Sequence, residues 1–152
     1  MIALKKVCAE NRDVCCAMRV APAQAQYIAS NARSLEQAAE HPDVARPFVL
    51  YNGAEAVGFA MLAFDRGNKD ADDQYWLWRL MIDEKQQGLG YGRAAIQAIL
   101  AYFRREGADT VTLSTKPDNA RALHLYHSFG FAENGQENDG ETVLKYKLRQ
   151  CM

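Results

Sequence analysis

The chain has 152 residues, with 18 Lys and Arg against 19 Asp and Glu and a formal net charge of -1 at pH 7. At this length one compact domain buries roughly two thirds of its unfolded surface, so residues 1–152 are expected to form a single domain with no disulfide or metal staple. A net charge near zero supplies no field that gathers nucleic acid or an anionic membrane. No window approaches the ~18 apolar residues of a membrane span, and Met1 to Lys6 has no secretory pattern; the reading is a cytoplasmic protein without nucleic-acid or membrane partners.

Residues 2–7 read as a first strand, and residues 11–18 and 34–40 as helices, the second carrying Ser34 and Gln37 at the spacing of a capping box. Cys8, Cys15 and Cys16 are read as reduced, small apolar residues in or near the core, and Cys151 also as reduced, because no Cys-x-x-Cys pair is present. Residues 48–51 and 56–64 flank Asn52-Gly53, a dipeptide that tolerates the positive φ of a tight hairpin, and predict two antiparallel strands. Residues 65–73 form a polar connection.

Residues 75–82 are apolar except for Arg79, as in a central strand covered on both faces. Ile96, Ile99, Leu100 and Phe103 recur at i, i+3, i+4 and i+7, which predicts an amphipathic helix stopping at Gly107. Val111 and Leu113 alternate with Thr110, Thr112 and Ser114 in a short strand. Ala122, Leu125, Tyr126 and Phe129 then mark a second periodic helix closed by Gly130. Residues 142–148 make a last strand, and residues 149–152 are expected to fray. This order predicts an α+β or mixed α/β sandwich around one sheet.

Between the central strand and the amphipathic helix, residues 86–93 read Gln-Gln-Gly-Leu-Gly-Tyr-Gly-Arg. Alternating glycines allow a tight turn whose amides point outward at a helix N-terminus, where the positive end of the dipole favours an anion such as a phosphate. No Gly-Lys-Ser/Thr follows, so this is not a P-loop, and Arg93 stands where a dinucleotide fingerprint needs glycine. The bland alternative is a flexible glycine turn with no ligand.

Gln87-x-x-Gly90-x-Gly92 after an apolar strand resembles the acetyl-CoA pyrophosphate loop of the GCN5-related N-acetyltransferases, the GNAT family. Asn119-x-x-Ala122-x-x-x-Tyr126, followed by Gly130-Phe131, resembles the family's second hallmark. The resemblance implies a mostly antiparallel central sheet flanked by helices and acetyl-CoA as cosubstrate. It also implies that the central strand and its parallel neighbour part, often at a bulge, to admit the thioester. Carried over, it implies that the backbone of Leu80, Met81 and Ile82 pairs with the pantetheine arm. The amides of Gln87, Gly88, Leu89, Gly90, Tyr91, Gly92 and Arg93 would hold the pyrophosphate, and Asn119 would face the cofactor.

Tyr126 matches the family's general acid and the Leu80 N–H its oxyanion donor; the plain alternative for Tyr126 is a core aromatic in phase with Ala122 and Phe129. Where many amine-acetylating relatives carry a strand carboxylate this chain has Trp78. Deprotonation then falls to ordered water or to a carboxylate from elsewhere, such as Glu36, Glu40 or Glu141, each of which reads equally as a solvated surface charge. His124 and His127 lack a third ligand, so no metal is expected.

Residues 20–28, 34–38, 57–61 and 76–83 are similar to bacterial spermine/spermidine acetyltransferases of that family. The similarity implies a small-molecule amine acceptor, a polyamine, with carboxylates for its cations and aromatic faces for its alkyl chain: Tyr27, Glu36 and Trp78 suit the task, with Glu40 and Trp76 in support. The alternatives are an aminoglycoside, a protein or peptide amine, or a non-catalytic acyl-CoA-binding sensor. A homodimer follows from the habit of the relatives.

Overall fold

The computed structural model describes residues 1–148. The order is β1 (Ile2–Lys6), α1 (Arg12–Ala17), α2 (Asn31–Glu40), β2 (Ala45–Asn52), β3 (Glu55–Phe64), β4 (Tyr75–Ile82), α3 (Tyr91–Arg105), β5 (Thr110–Thr115), α4 (Ala120–Phe129), β6 (Ala132–Asn138) and β7 (Glu141–Lys147). The strands form one seven-stranded sheet in the order β1-β2-β3-β4-β5-β7-β6. Only β4 and β5 run parallel among its neighbouring pairs. The mixed, mostly antiparallel sheet expected from the sequence is present. Cys151 and the expected fraying at 149–152 lie outside the described residues.

Each face of the sheet buries its own layer. On one face, Ile96, Ile99, Leu100 and Phe103 of α3 join Leu50, Leu62, Val111, Leu113 and Leu144, with Leu123, Leu125 and Tyr126 of α4 packed against them. Burying each large α3 side chain is worth about 1.5–3 kcal/mol, and the exposed Arg93, Gln97 and Arg104 occupy the opposite side of the helix. On the other face, Cys15, Met18, Leu35 and Ala38 of α1 and α2 cover Val49, Phe59, Met61 and Met81.

Several expectations change. Helix α2 begins one turn earlier than the capping box implied: Ser30 Oγ accepts from the Arg33 amide at 3.1 Å, and Ser34 is buried inside the helix. Its inner stripe is Asn31, Ser34, Leu35 and Ala38, and the two small polar members hid the first turn from a hydrophobic reading. Of the cysteines, Cys15 is buried and Cys16 exposed because α1 shows only one face to the core, and Cys8, in the connection before that helix, is exposed as well. The hairpin turn falls at Gly53-Ala54, with Asn52 paired to Glu55 and Gly53 at φ 62°. Strand β6 was not foreseen, since all of Ala132–Asn138 is exposed and no apolar alternation marks it.

Strand β4 is central, yet only Tyr75, Leu77 and Met81 are buried. The coverage on both faces fails because the sheet opens along this strand. Met61 pairs with Arg79 and Leu62 with Leu77, so Trp78 is the extra residue of a β-bulge. Leu77, Leu80 and Ile82 face the α3 layer and Met81 the α2 layer, whereas Trp78 and Arg79 emerge consecutively on the α2 side. Strand β4 registers with β5 at Trp76↔Thr112 alone, while β5 pairs with β7 from Thr110 through Thr115. Beyond that single pairing β4 and β5 part.

Candidate active site

The gap between β4 and β5 continues into a cavity of about 1120 Å³. Its walls are the second half of β4, the glycine loop, the end of β5, α4, the segment around Tyr27, and Glu141 at the start of β7.

At one end lies the glycine loop. Gly88 and Gly90 have φ of 81° and 84°, with nothing within 4 Å of where a Cβ would stand. Both positions are left-handed, the region where an L side chain costs roughly 1–2 kcal/mol. Gly90 is the N-cap of α3, and the first helical bond runs from the Ala94 amide to the Gly90 carbonyl. The amides of Tyr91, Gly92 and Arg93 precede that bond and are free to bind an anion. A Cβ on Gly92 would sit 3.6 Å from Leu125 Cδ2, so α3 and α4 approach closely here. Arg93 lies across α4, its Nη1 donating to Ser128 Oγ at 2.9 Å and its guanidinium 4.7 Å from the Phe129 ring. Gln87 fixes the loop, its Nε2 donating to Ile82 O at 3.0 Å and Gln24 Oε1 at 2.9 Å.

In the middle stands Tyr126, with Phe131 edge-on to its ring at 5.6 Å. Burial pushes its phenol up to about 12, so the hydroxyl holds its proton throughout the neutral range. Asn119 caps α4, accepting from the Ala122 amide at 3.4 Å and donating to Thr115 Oγ1 at 3.3 Å.

The segment before α2 roofs the cavity, from Gln24 against the glycine loop to Tyr27 over the β5–α4 connection. Lys116 Nζ donates to Gln26 O at 2.7 Å and Tyr27 Oη to Asp118 O at 3.4 Å, two straps that hold this segment over the β5–α4 connection. Arg79 reaches in from the bulge, with Nη2 donating to Gln37 Oε1 at 2.9 Å and Nη1 to Trp78 O at 2.8 Å; its buried Nε has no partner. Burial lowers its affinity for a proton, and the nearby Glu141 charge partly restores it. Glu141 Oε1 accepts from Ser114 Oγ at 2.7 Å.

Of the residues singled out in the sequence, Tyr27, Trp78, Leu80, Met81, Ile82, Gln87, Gly88, Gly90, Tyr91, Gly92, Arg93, Asn119 and Tyr126 line this one cavity. Two do not. Leu89 turns its side chain to solvent, 64 % exposed, between the two left-handed glycines. Glu36 sits on the outer side of α2, 3.2 Å from Arg33, which also holds Glu40 at 3.5 Å, so neither carboxylate reaches the cavity. Trp76 borders a smaller neighbouring cavity, which it shares with Trp78. The sequence reading missed Arg79, although its standing as the sole charge on an apolar strand was a visible signal. It also missed Ser114 and Gln24, which carry no signal of their own.

The family model for the acetyltransferase (GNAT) family matches residues 13–131. The chain belongs to that family. It is 33% identical to the spermine/spermidine N(1)-acetyltransferase of Bacillus subtilis (strain 168) over 153 aligned residues, which cover 97% of this chain and 99% of the relative. Among solved structures, the fold matches a spermidine N-acetyltransferase from Vibrio cholerae in complex with CoA and spermine, at a TM-score of 0.70 and 19% identity over 95% of this chain and 92% of that one. It also matches an aminoglycoside acetyltransferase, AAC(6')-Ib, in complex with coenzyme A, at a TM-score of 0.76 and 16% identity over 97% and 95%. The family match and the Bacillus subtilis relative make the chain an N-acetyltransferase, and the solved structures show its GNAT fold.

Proposed function

We propose that this GNAT enzyme acetylates a primary amine of a polyamine, spermidine or spermine, using acetyl-CoA in a ternary complex. The observation that carries the reading is the 33% identity, almost end to end, with the Bacillus subtilis spermine/spermidine enzyme. The cavity fits the cosubstrate: a glycine cradle at a helix N-terminus suits a pyrophosphate, and the parted β4 and β5 leave backbone edges for a pantetheine arm.

Acetyl-CoA supplies a thioester carbon that a neutral amine attacks, with the thiolate leaving. The chain's residues must provide the rest. A free amine with pKa about 10.4 is about one part in a thousand neutral at pH 7, a handicap of roughly 4 kcal/mol for which a proton path has to compensate. The Leu80 amide, just past the bulge, serves as the oxyanion donor. Tyr126 gives its proton to the departing sulfur and is reprotonated from the nitrogen that becomes the amide, which leaves the phenol ready for the next cycle. Leu80, Met81 and Ile82 on β4 hold the arm, Gln87 through Arg93 the pyrophosphate, and Tyr27 and Trp78 flank the amine's alkyl chain.

The test is initial-rate thiol release with acetyl-CoA against spermidine, spermine, kanamycin and a short peptide. Turnover of the two polyamines at a kcat/KM at least ~10-fold above the others is expected. A preference for kanamycin or the peptide would replace the polyamine. Coenzyme A binding with no turnover of any amine would point to a sensor. The single domain, the cytoplasmic setting and the homodimer expected from the sequence belong to the same proposal. Light scattering in solution checks the homodimer.

A further inference from the structure

The cavity is lined by four cationic side chains, Arg79, Arg93, Lys116 and Arg121, and among the described residues by one carboxylate, Glu141. Arg79 and Lys116 stand at the bulge and the β5–α4 connection, close to Glu141, so the imbalance opposes a polycation there, which needs at least one negative group where its amine is to react.

Glu141 is the carboxylate of the cavity wall, and the strands fix which side of the sheet it occupies. On β5, Val111 and Leu113 face the α3 layer, so Ser114 points to the opposite side of the sheet, the side onto which the bulge turns Trp78 and Arg79. Glu141 is bonded to Ser114 and precedes Thr142, which pairs with Thr115 at the end of β5. The carboxylate therefore stands across the gap from the bulge, away from α3 and its glycine cradle. No ion pair joins it to Arg79 among the described residues, although the two sense each other's charge. Glu36 and Glu40, the other acids the sequence offered, are held by Arg33 outside the cavity. Arg93 and Lys116 are occupied with Ser128 and Gln26.

We propose that Glu141 is the specificity-determining residue that receives the ammonium of the acceptor, from a strand other than β4, and that it replaces the carboxylate whose place Trp78 fills. The proposal rests on the polyamine reading for its first substrate, but it requires only that the acceptor arrive as a cation. Ser114 fixes the carboxylate before substrate enters, so little side-chain freedom is lost on binding.

The experiment compares wild type, Glu141→Gln and Glu141→Asp in steady-state kinetics with spermidine and acetyl-CoA. Glutamine keeps an oxygen to accept from Ser114, so the fold is preserved, and an unchanged rise in Tm on adding coenzyme A confirms it. For Glu141→Gln the expected result is a KM for spermidine raised about 10-fold or more, with the KM for acetyl-CoA within about twofold of wild type. Glu141→Asp is expected to recover part of the loss. Raising salt from about 0.05 to 0.5 M is expected to raise the spermidine KM of wild type and to leave that of Glu141→Gln nearly flat. A wild-type KM and salt response in Glu141→Gln would overturn the role of Glu141 while leaving the polyamine reading intact. If wild type prefers another amine, the polyamine reading falls and the same variants on that amine decide the role of Glu141. If wild type turns over no amine, both fall.

Discussion

The buried Cys15 thiol and the phenol of half-buried Tyr126 hold their protons far into the alkaline range. Burial raises the Cys15 thiol from 9.0 to about 12, with the neighbouring Cys16 adding to it, and the Tyr126 phenol from 10.0 to about 12. A thiol held this way is a poor nucleophile. A thiol reagent at pH 8, followed by peptide mapping, is expected to modify Cys8 and Cys16 quickly and Cys15 only on unfolding; equal rates for the three would contradict the placement of α1 against the sheet. For Tyr126 the unfolded chain releases its proton at a lower pH than the folded one. The stability this phenol contributes is therefore full below about pH 10 and is lost as the pH rises toward about 12. Urea midpoints across that window are expected to fall less steeply in Tyr126→Phe than in wild type. A parallel fall would show that the phenol is not buried.

At the scale of the element, the pairing of β3 with β4 sets the shape of the site. A Cβ on Gly58 would lie 2.4 Å from the Met81 carbonyl oxygen, so the two strands meet this closely only because residue 58 is glycine. Gly58→Ala is expected to cost about 1–3 kcal/mol in denaturant unfolding and to weaken coenzyme A binding through displacement of β4. A neutral substitution would mean that β4 shifts freely. Much of this level was legible in the sequence. Helix α3 announced itself because Ile96, Ile99, Leu100 and Phe103 face one layer and the charges face water, and the glycine loop because left-handed backbone demands glycine. The bulge at Trp78 was not legible. It is a mismatch of register between Met61–Leu62 and Leu77–Arg79, a relation between two strands rather than a property of either. Strand β6 escaped for a related reason: an exposed edge buries nothing, so its residues carry no pattern.

Over the whole molecule, one sheet separates two jobs. The α3–α4 side supplies the glycine loop and Tyr126, the segment between α1 and α2 roofs the cavity, and the gap between β4 and β5 joins them. The glycine loop and α4 could be read from contiguous motifs, residues 87–93 and 119–131. On the roofed side the sequence offered Tyr27, Trp78 and Glu141 but not Arg79 or Ser114, since only the fold brings these separate stretches together, and Glu36 was misplaced because charge alone does not say which side of a helix faces the cavity. A ligand that binds only the folded chain stabilises it by linkage. Coenzyme A at about 100 times its Kd is expected to add about 2.7 kcal/mol and to raise Tm by roughly 5–10 °C. No shift at any coenzyme A concentration would show that the folded chain does not bind it, and Tyr126→Phe and Gly90→Ala, compared by the same shift, locate the site.

The central claim is that this cavity performs acyl transfer with Tyr126 as the proton donor. The most direct test is kcat for Tyr126→Phe with acetyl-CoA and the best acceptor, alongside coenzyme A affinity for the same protein. Loss of the hydroxyl with the ring retained is predicted to lower kcat about 10²-fold or more while the Kd for coenzyme A stays within about twofold. Wild-type kcat in Tyr126→Phe would contradict the claim and leave Tyr126 as a packing residue of α4.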